Sequence, residues 1–221
     1  MKALKLKVCG LKYDDNIEQI TNCHVDYIGL IFYGKSKRFV ENKLKTQSIK
    51  NLKRVGVFVN ATVDYICENI LKYNLDVVQL HGQEKADEVI KLRSEILKLS
   101  TYKFIEIWKA LSIQNKSDFK NAENYEHIID KFLLDTKGKH PGGNGYHFNW
   151  KLLKEYTFSP PFFLSGGISI RDIESIQKIN HSKLFGIDIN SQFETQAGLK
   201  DPELVNKFNK IIKNHEEEET I

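Results

Sequence analysis

Short runs of apolar, mostly β-branched or aromatic residues recur along the chain at 4–9, 27–32, 54–59, 77–80, 105–110, 132–134, 162–164 and 184–188. Between them the apolar spacing changes from contiguous or alternating to a helical period, so each run reads as a strand followed by a helix. The last helix is the plainest. Leu204, Val205, Phe208, Ile211 and Ile212 share one face, Asp201 stands at the N-cap position, and Pro202 falls in the first turn. Ser169 and Asp172 have the spacing of a capping box ahead of Ile173 and Ile176. Val63, Ile66 and Ile70 supply another apolar stripe.

Eight such units in 221 residues leave roughly 28 residues for each, enough for a crossover helix with short loops. Regular alternation of strand and helix implies a parallel sheet covered by helices. At this unit length the expectation is α/β, a single-domain (β/α)8 TIM barrel spanning residues 1–214, followed by an acidic tail at 215–221. The rival is an open doubly wound sheet. That fold calls for a glycine-rich phosphate turn after its first strand, and KVCGLKYDD does not supply GxGxxG. Two units depart from the pattern. SIQNKSDFKNAENYEHIID is polar with a poor apolar stripe, which predicts a short helix; TKGKHPGGNGYHFN is a long glycine-rich loop of the kind that serves as a lid.

Composition narrows the function classes. Hydrophobic residues at 41% and charged residues at 28% argue against disordered, collagen-like and membrane chains. Lysines are spread over the whole sequence and the net charge is only +4, which argues against a dedicated nucleic-acid surface. No stretch approaches the length of a membrane span, and MKALKLKVCGLK lacks the apolar run of a signal peptide. Three cysteines without a CxxC pair make no disulfide framework, so a reducing, cytoplasmic location is expected.

In a barrel of this kind chemistry gathers at the C-terminal ends of the strands. Cys9 closes the first strand, Arg38 follows the second, and Gln79 and His81 end the fourth. Lys109 ends the fifth, Asp135 the sixth, Ser165-Gly166-Gly167 the seventh and Asp188 the eighth. Each has an ordinary role as well. A free cysteine is usually a small buried hydrophobe, an aspartate after a strand a turn residue, His81 a structural histidine, and Arg38 beside Lys35 and Lys37 a surface charge. The glycines say more. Ser165-Gly166-Gly167 precedes a capped helix, so its backbone N–H groups would face a pocket, and the polar DINSQFE stretch follows the eighth strand. The loops after strands seven and eight are where such barrels hold phosphate, which points to a phosphorylated small molecule.

These motifs, in order, resemble the phosphoribosylanthranilate isomerase family of tryptophan biosynthesis. KVCGLK, DYIGLIFYGKSKRFV, RVGVFVN, VVQLHG, FLLDTKG with GGNG, FLSGGIS, and GIDINSQFE with GLKD carry the likeness across nearly the whole chain. The resemblance implies an Amadori rearrangement of N-(5-phospho-β-D-ribosyl)anthranilate to 1-(2-carboxyphenylamino)-1-deoxy-D-ribulose 5-phosphate, with no cofactor and no metal. It implies Asp135 as general acid, opening the ribose ring, and Cys9 as general base, removing the C2 proton. Arg38 would pair with the anthranilate carboxylate. Gly166, Gly167, Asn190 and Ser191 would hold the phosphate, and Asp188 would accept a sugar hydroxyl. A monomer or homodimer is expected.

Lys7 has the strand parity of Cys9, so both should point into the barrel and Lys7 should favour the thiolate. The chain also departs from its family. Asn190-Ser191-Gln192 stands where Ser-Ser-Gly is frequent, losing a glycine's φ freedom. Asn149 replaces a common aspartate and His147 a common threonine. Two rival functions remain: another phosphate-binding barrel enzyme, such as a sugar-phosphate epimerase or an indole-glycerol phosphate synthase, and a non-catalytic anion-binding barrel. An epimerase would show metal-binding histidines with acidic partners, whereas His81 has none nearby in sequence. A non-catalytic barrel would have lost the acid and the base.

Overall fold

Eight parallel strands close on themselves in sequence order, each hydrogen-bonded to the next and the eighth to the first. The computed structural model describes residues 4–41, 44, 52–99, 103–136 and 147–214. The strands are β1 (Lys5–Cys9), β2 (Tyr27–Ile31), β3 (Lys53–Phe58), β4 (Val77–Leu80), β5 (Glu106–Ile113), β6 (Lys131–Thr136), β7 (Phe162–Leu164) and β8 (Leu184–Ile189). All eight expected runs are therefore strands, with ends shifted by a residue or two except in β5, which runs three residues further. A small antiparallel ribbon, β9 (Glu194–Gln196) with β10 (Leu199–Lys200), follows β8. The lid expectation for TKGKHPGGNGYHFN and the acidic tail both fall largely or wholly outside the described residues.

Alternation along each strand sorts the apolar residues into two layers. Leu6, Val8, Ile28, Leu30, Phe132 and Leu134 face outward and pack beneath the helices. Cys9, Tyr27, Val55, Val57, Val77, Trp108, Leu133 and Phe163 face inward. Tyr27, Trp108 and Phe163, from β2, β5 and β7, meet with ring centroids 4.8–5.5 Å apart and fill the middle of the barrel. Glu106 accepts hydrogen bonds from Trp108 Nε1 and from the ammonium groups of Lys53 and Lys131. Burial opposes its charge, but these three donors outweigh burial and hold the carboxyl below its ordinary range.

The helices are α1 (Asp14–Thr21), α2 (Val63–Tyr73), α3 (Ala86–Lys98), α4 (Ile173–Gln177) and α5 (Pro202–Asn214). Ile66 and Ile70 of α2 are buried with Val63 packed against the same core, as the stripe predicts. Asp201 caps α5, its Oδ1 accepting from the N–H groups of Glu203 and Leu204 at 3.0 and 3.1 Å. Ser169 and Asp172 form the capping box read from their spacing. The polar fifth unit has only a 3-10 helix, Lys116–Asn124, with Phe119 and Ala122 buried. The sixth has another, Trp150–Glu155. Asn149 caps it, its Oδ1 accepting from Lys151 N–H at 3.1 Å, so the departure from aspartate keeps the capping function.

Candidate active site

Cys9, at the end of β1, points inward because it shares parity with Lys7. Gly29 on β2 lies directly opposite it in register. A Cβ at Gly29 would sit 2.8 Å from Cys9 Sγ, so the glycine leaves the space the thiol fills. Burial pushes the Cys9 thiol up, while the nearby Lys7 ammonium pulls it down through its charge and a hydrogen bond. Lys7 stands where parity puts it, and its downward pull is outweighed by burial together with the Asp188 charge. Lys7 itself is wholly buried and donates to Asp188 Oδ1 at 2.8 Å. Burial alone would favour its neutral form, but Asp188 and Cys9 together raise its pKa above the ordinary lysine value. Asp188 Oδ2 accepts from Ser165 Oγ at 3.1 Å, tying β8 to β7.

Asp135, near the end of β6, is 4% exposed. Its Oδ1 accepts from the Thr136 N–H at 2.8 Å and its Oδ2 lies 3.2 Å from His81 Nε2. Gln79 Nε2 approaches the other ring nitrogen, Nδ1, at 3.2 Å. His81 thus has an acidic partner after all, supplied by a strand 54 residues away rather than by its own neighbourhood. Among the described residues there is no group of three or more histidine, cysteine or acidic side chains arranged to hold a metal ion.

Gly166 and Gly167 both have positive φ, +90° and +71°. A Cβ on Gly166 would lie 2.5 Å from Thr136 N and 2.7 Å from Asp135 Oδ1. Gly166→Ala should therefore cost about 1–3 kcal/mol of folding stability from backbone strain and crowding. Chemical denaturation measures it, and an unchanged midpoint would show that the turn relaxes freely. After β8, Asn190 to Phe193 make a 3-10 turn closed by Phe193 N–H on Asn190 O at 3.1 Å. Gln192 is not among the described non-glycine residues with positive φ. The loop is built without the freedom a glycine there would offer.

Arg38 is held by the turn that folds back after β2, where Val40 N–H donates to Ile31 O at 3.0 Å. Its guanidinium grips Glu194 of β9, with Nε to Oε1 at 2.8 Å and Nη2 to Oε2 at 2.7 Å. This bond raises the Arg38 pKa further and opposes the burial that would lower it. Glu194 also accepts from Lys200 Nζ at 2.6 Å, and the same ammonium donates to Asn190 Oδ1 at 2.7 Å and Asn190 O at 3.1 Å. Glu194 and Lys200 lie inside the GIDINSQFE and GLKD motifs but carry no role there, because their pairing with Arg38 and Asn190 is made across chain segments.

One cavity at the C-terminal mouth brings these groups together. Cys9, Arg38, Asp135, Gly166, Gly167, Asp188, Asn190 and Ser191 all line it, so every expected site residue reaches the same space. Gln79, His81 and Ser165 line it as well, over an apolar wall of Ile31, Val57 and Val59. Lys109 is the exception among the strand-end residues. Trp108 and Ala110 face inward, so Lys109 between them faces out. It pairs there with buried Glu84 at 2.8 Å and donates to Gly82 O at 2.8 Å, bracing the loop after β4. The departure at His147 lies at the rim, where the imidazole contacts Asp172 at 3.2 Å and stacks on Trp150.

Comparison with known proteins gives a consistent result. Residues 6–211 match the family model described as N-(5'phosphoribosyl)anthranilate (PRA) isomerase. The chain is 39% identical to N-(5'-phosphoribosyl)anthranilate isomerase of Parabacteroides distasonis over 208 residues, covering 92% of this chain and 90% of that protein. It is 35% identical to the enzyme of the same name from Phocaeicola vulgatus, covering 92% and 95%. The crystal structure of phosphoribosyl anthranilate isomerase from Thermotoga maritima superposes with a TM-score of 0.80 at 30% identity, covering 95% of this chain and 98% of that one. A phosphoribosyl anthranilate isomerase crystallised with reduced 1-(o-carboxyphenylamino)-1-deoxyribulose 5-phosphate superposes at 0.78 with 27% identity, covering 95% and 98%.

Proposed function

The chain belongs to the phosphoribosylanthranilate isomerase family and has that isomerase activity in tryptophan biosynthesis, and from this premise we propose how its own residues carry the reaction. The substrate is N-(5-phospho-β-D-ribosyl)anthranilate. Asp135 gives a proton to the furanose oxygen, the C1–O bond breaks, and the anthranilate nitrogen forms a Schiff base with C1. The Cys9 thiolate then takes the C2 proton, and the electron pair moves into an enolamine that tautomerises to the 2-ketone. A positioned acid and base typically contribute ~10²–10⁴-fold in rate. Holding the sugar between them adds to that.

The observation that carries this reading is a shared cavity: the thiol of β1 and the carboxyl of β6 line it together with Arg38 and the glycines after β7. Arg38 offers the planar fork suited to a carboxylate. Gly166 and Gly167, with Asn190 and Ser191, form the phosphate end. Asp188 accepts a sugar hydroxyl and keeps Lys7 charged beside Cys9. Ile31, Val57 and Val59 give the anthranilate ring an apolar wall. The chemistry needs no cofactor or metal, because both proton transfers are within reach of side-chain acids and bases.

We place the enzyme in the cytoplasm, which agrees with three free cysteines, and take residues 1–214 as one barrel domain, with the acidic stretch 215–221 outside it. It acts as a monomer or homodimer. The direct test mixes purified protein with freshly prepared phosphoribosylanthranilate and follows the loss of substrate fluorescence. First-order loss at catalytic protein concentrations is expected. A rate no faster than the spontaneous decay of the substrate would overturn the assignment.

A further inference from the structure

Lys200 is, like Lys7, a fully buried cation near the mouth, its side chain 0% exposed, yet it does not line the cavity. The hydrogen bonds of its ammonium go to two residues that bear on the cavity's anion-binding groups. Nζ donates to Glu194 Oε1 at 2.6 Å, and Glu194 is the carboxylate that holds the Arg38 guanidinium. Nζ also donates to both oxygens of Asn190, at 2.7 and 3.1 Å. With the amide oxygen of Asn190 committed to Lys200, its NH2 group is the end left to face elsewhere. Glu194 is further fixed by the Gly198 N–H at 3.1 Å.

We infer that Lys200 and Glu194 are positioning residues for substrate binding, a buried ion pair that pre-sets Arg38 for the anthranilate carboxylate and turns the donor end of Asn190 toward the phosphate. The inference rests on the proposed function and adds to it the device that readies both anion sites before substrate arrives. Two unsupported side chains would have to be ordered during binding, at a cost in affinity. Here the ordering is done in the fold. Arg38 arrives from the loop after β2 and Asn190 from the loop after β8, and the β9–β10 ribbon clamps them in one geometry. Burial lowers the Lys200 pKa to about 8, with Glu194 opposing the shift, so the pair is held at an energetic cost that a role in support of the site explains.

Steady-state kinetics separates this role from a merely structural one. Glu194→Gln keeps the volume but loses the charge that grips Arg38. It should raise KM about 10- to 100-fold, the range expected on losing a charged hydrogen bond, while kcat stays within about twofold. The affinity for the reduced product analogue should fall by a similar factor, and Glu194→Asp should recover part of it. Arg38→Met should cost far less affinity in the Glu194→Gln background than in wild type. Should an unpaired Lys200 prevent folding, Glu194→Gln with Lys200→Met removes both buried charges and is expected to show the same KM effect. Unchanged KM and analogue affinity with a lowered melting temperature would overturn the inference, as would a fall confined to kcat. A wild-type protein that failed to convert phosphoribosylanthranilate would remove the premise instead.

Discussion

Cys9→Ala and Asp135→Asn are each expected to lower kcat by ~10²–10⁴-fold, the usual contribution of one positioned acid or base, with the barrel intact. In the proposed reaction the two groups serve different steps. Without the Asp135 proton the ring oxygen would leave as an alkoxide, and ring opening becomes limiting. Without the Cys9 thiolate the Schiff base forms, but its C2 proton has no acceptor. Neither replacement should unfold the protein, since Cys9 faces a cavity already open at the mouth and asparagine keeps the volume of Asp135. Circular dichroism and substrate fluorescence read the two properties separately. Near-normal turnover in either variant would withdraw the role from that residue.

Breaking the Lys7–Asp188 pair is expected to have the largest effect on stability. Lys7 is wholly buried and Asp188 5% exposed, so Lys7→Met leaves a carboxylate uncompensated inside the barrel. Removing one partner of a buried pair typically costs about 3–5 kcal/mol, whereas replacing both with apolar groups is often neutral. Lys7→Met with Asp188→Leu should therefore regain most of the lost stability in denaturation experiments while activity stays low. That combination marks a pair kept for chemistry rather than for folding. The sign with pH follows from the raised Lys7 pKa. Its contribution to stability is complete below the ordinary lysine value of 10.5 and is lost as pH climbs through the higher folded value.

The same substitution reports on Cys9. Lys7 is the larger of two lysine charges that pull the thiol down against burial, so Lys7→Met should move the alkylation profile of Cys9 to higher pH. Cys23→Ala and Cys67→Ser would leave Cys9 the sole reacting thiol. An unmoved inflection would refute the assistance assigned to Lys7.

The chain's own pattern of apolar residues determined the architecture. Each strand run and most of the helical stripes are local signals, because a period of two or 3.6 is written into neighbouring residues. Parity alone put Lys7 and Cys9 on the inner face and Leu6 and Val8 on the outer one. The motif order was likewise sufficient to bring Arg38, Asp135, Gly166 and Asp188 under suspicion, since barrel topology sends every strand end to the same mouth.

Only the tertiary structure decided which of those strand-end groups work together and what supports them. Lys109 reads as a strand end like Asp135, yet β5 runs on to Ile113 and leaves it mid-strand, where its outward parity takes it to Glu84 instead. Asp135 reaches His81 across 54 positions and Lys7 reaches Asp188 across 181. No local periodicity encodes pairs so remote. They exist because closing the sheet brings the eighth strand beside the first, and because a buried charge has to find a partner wherever the fold supplies one.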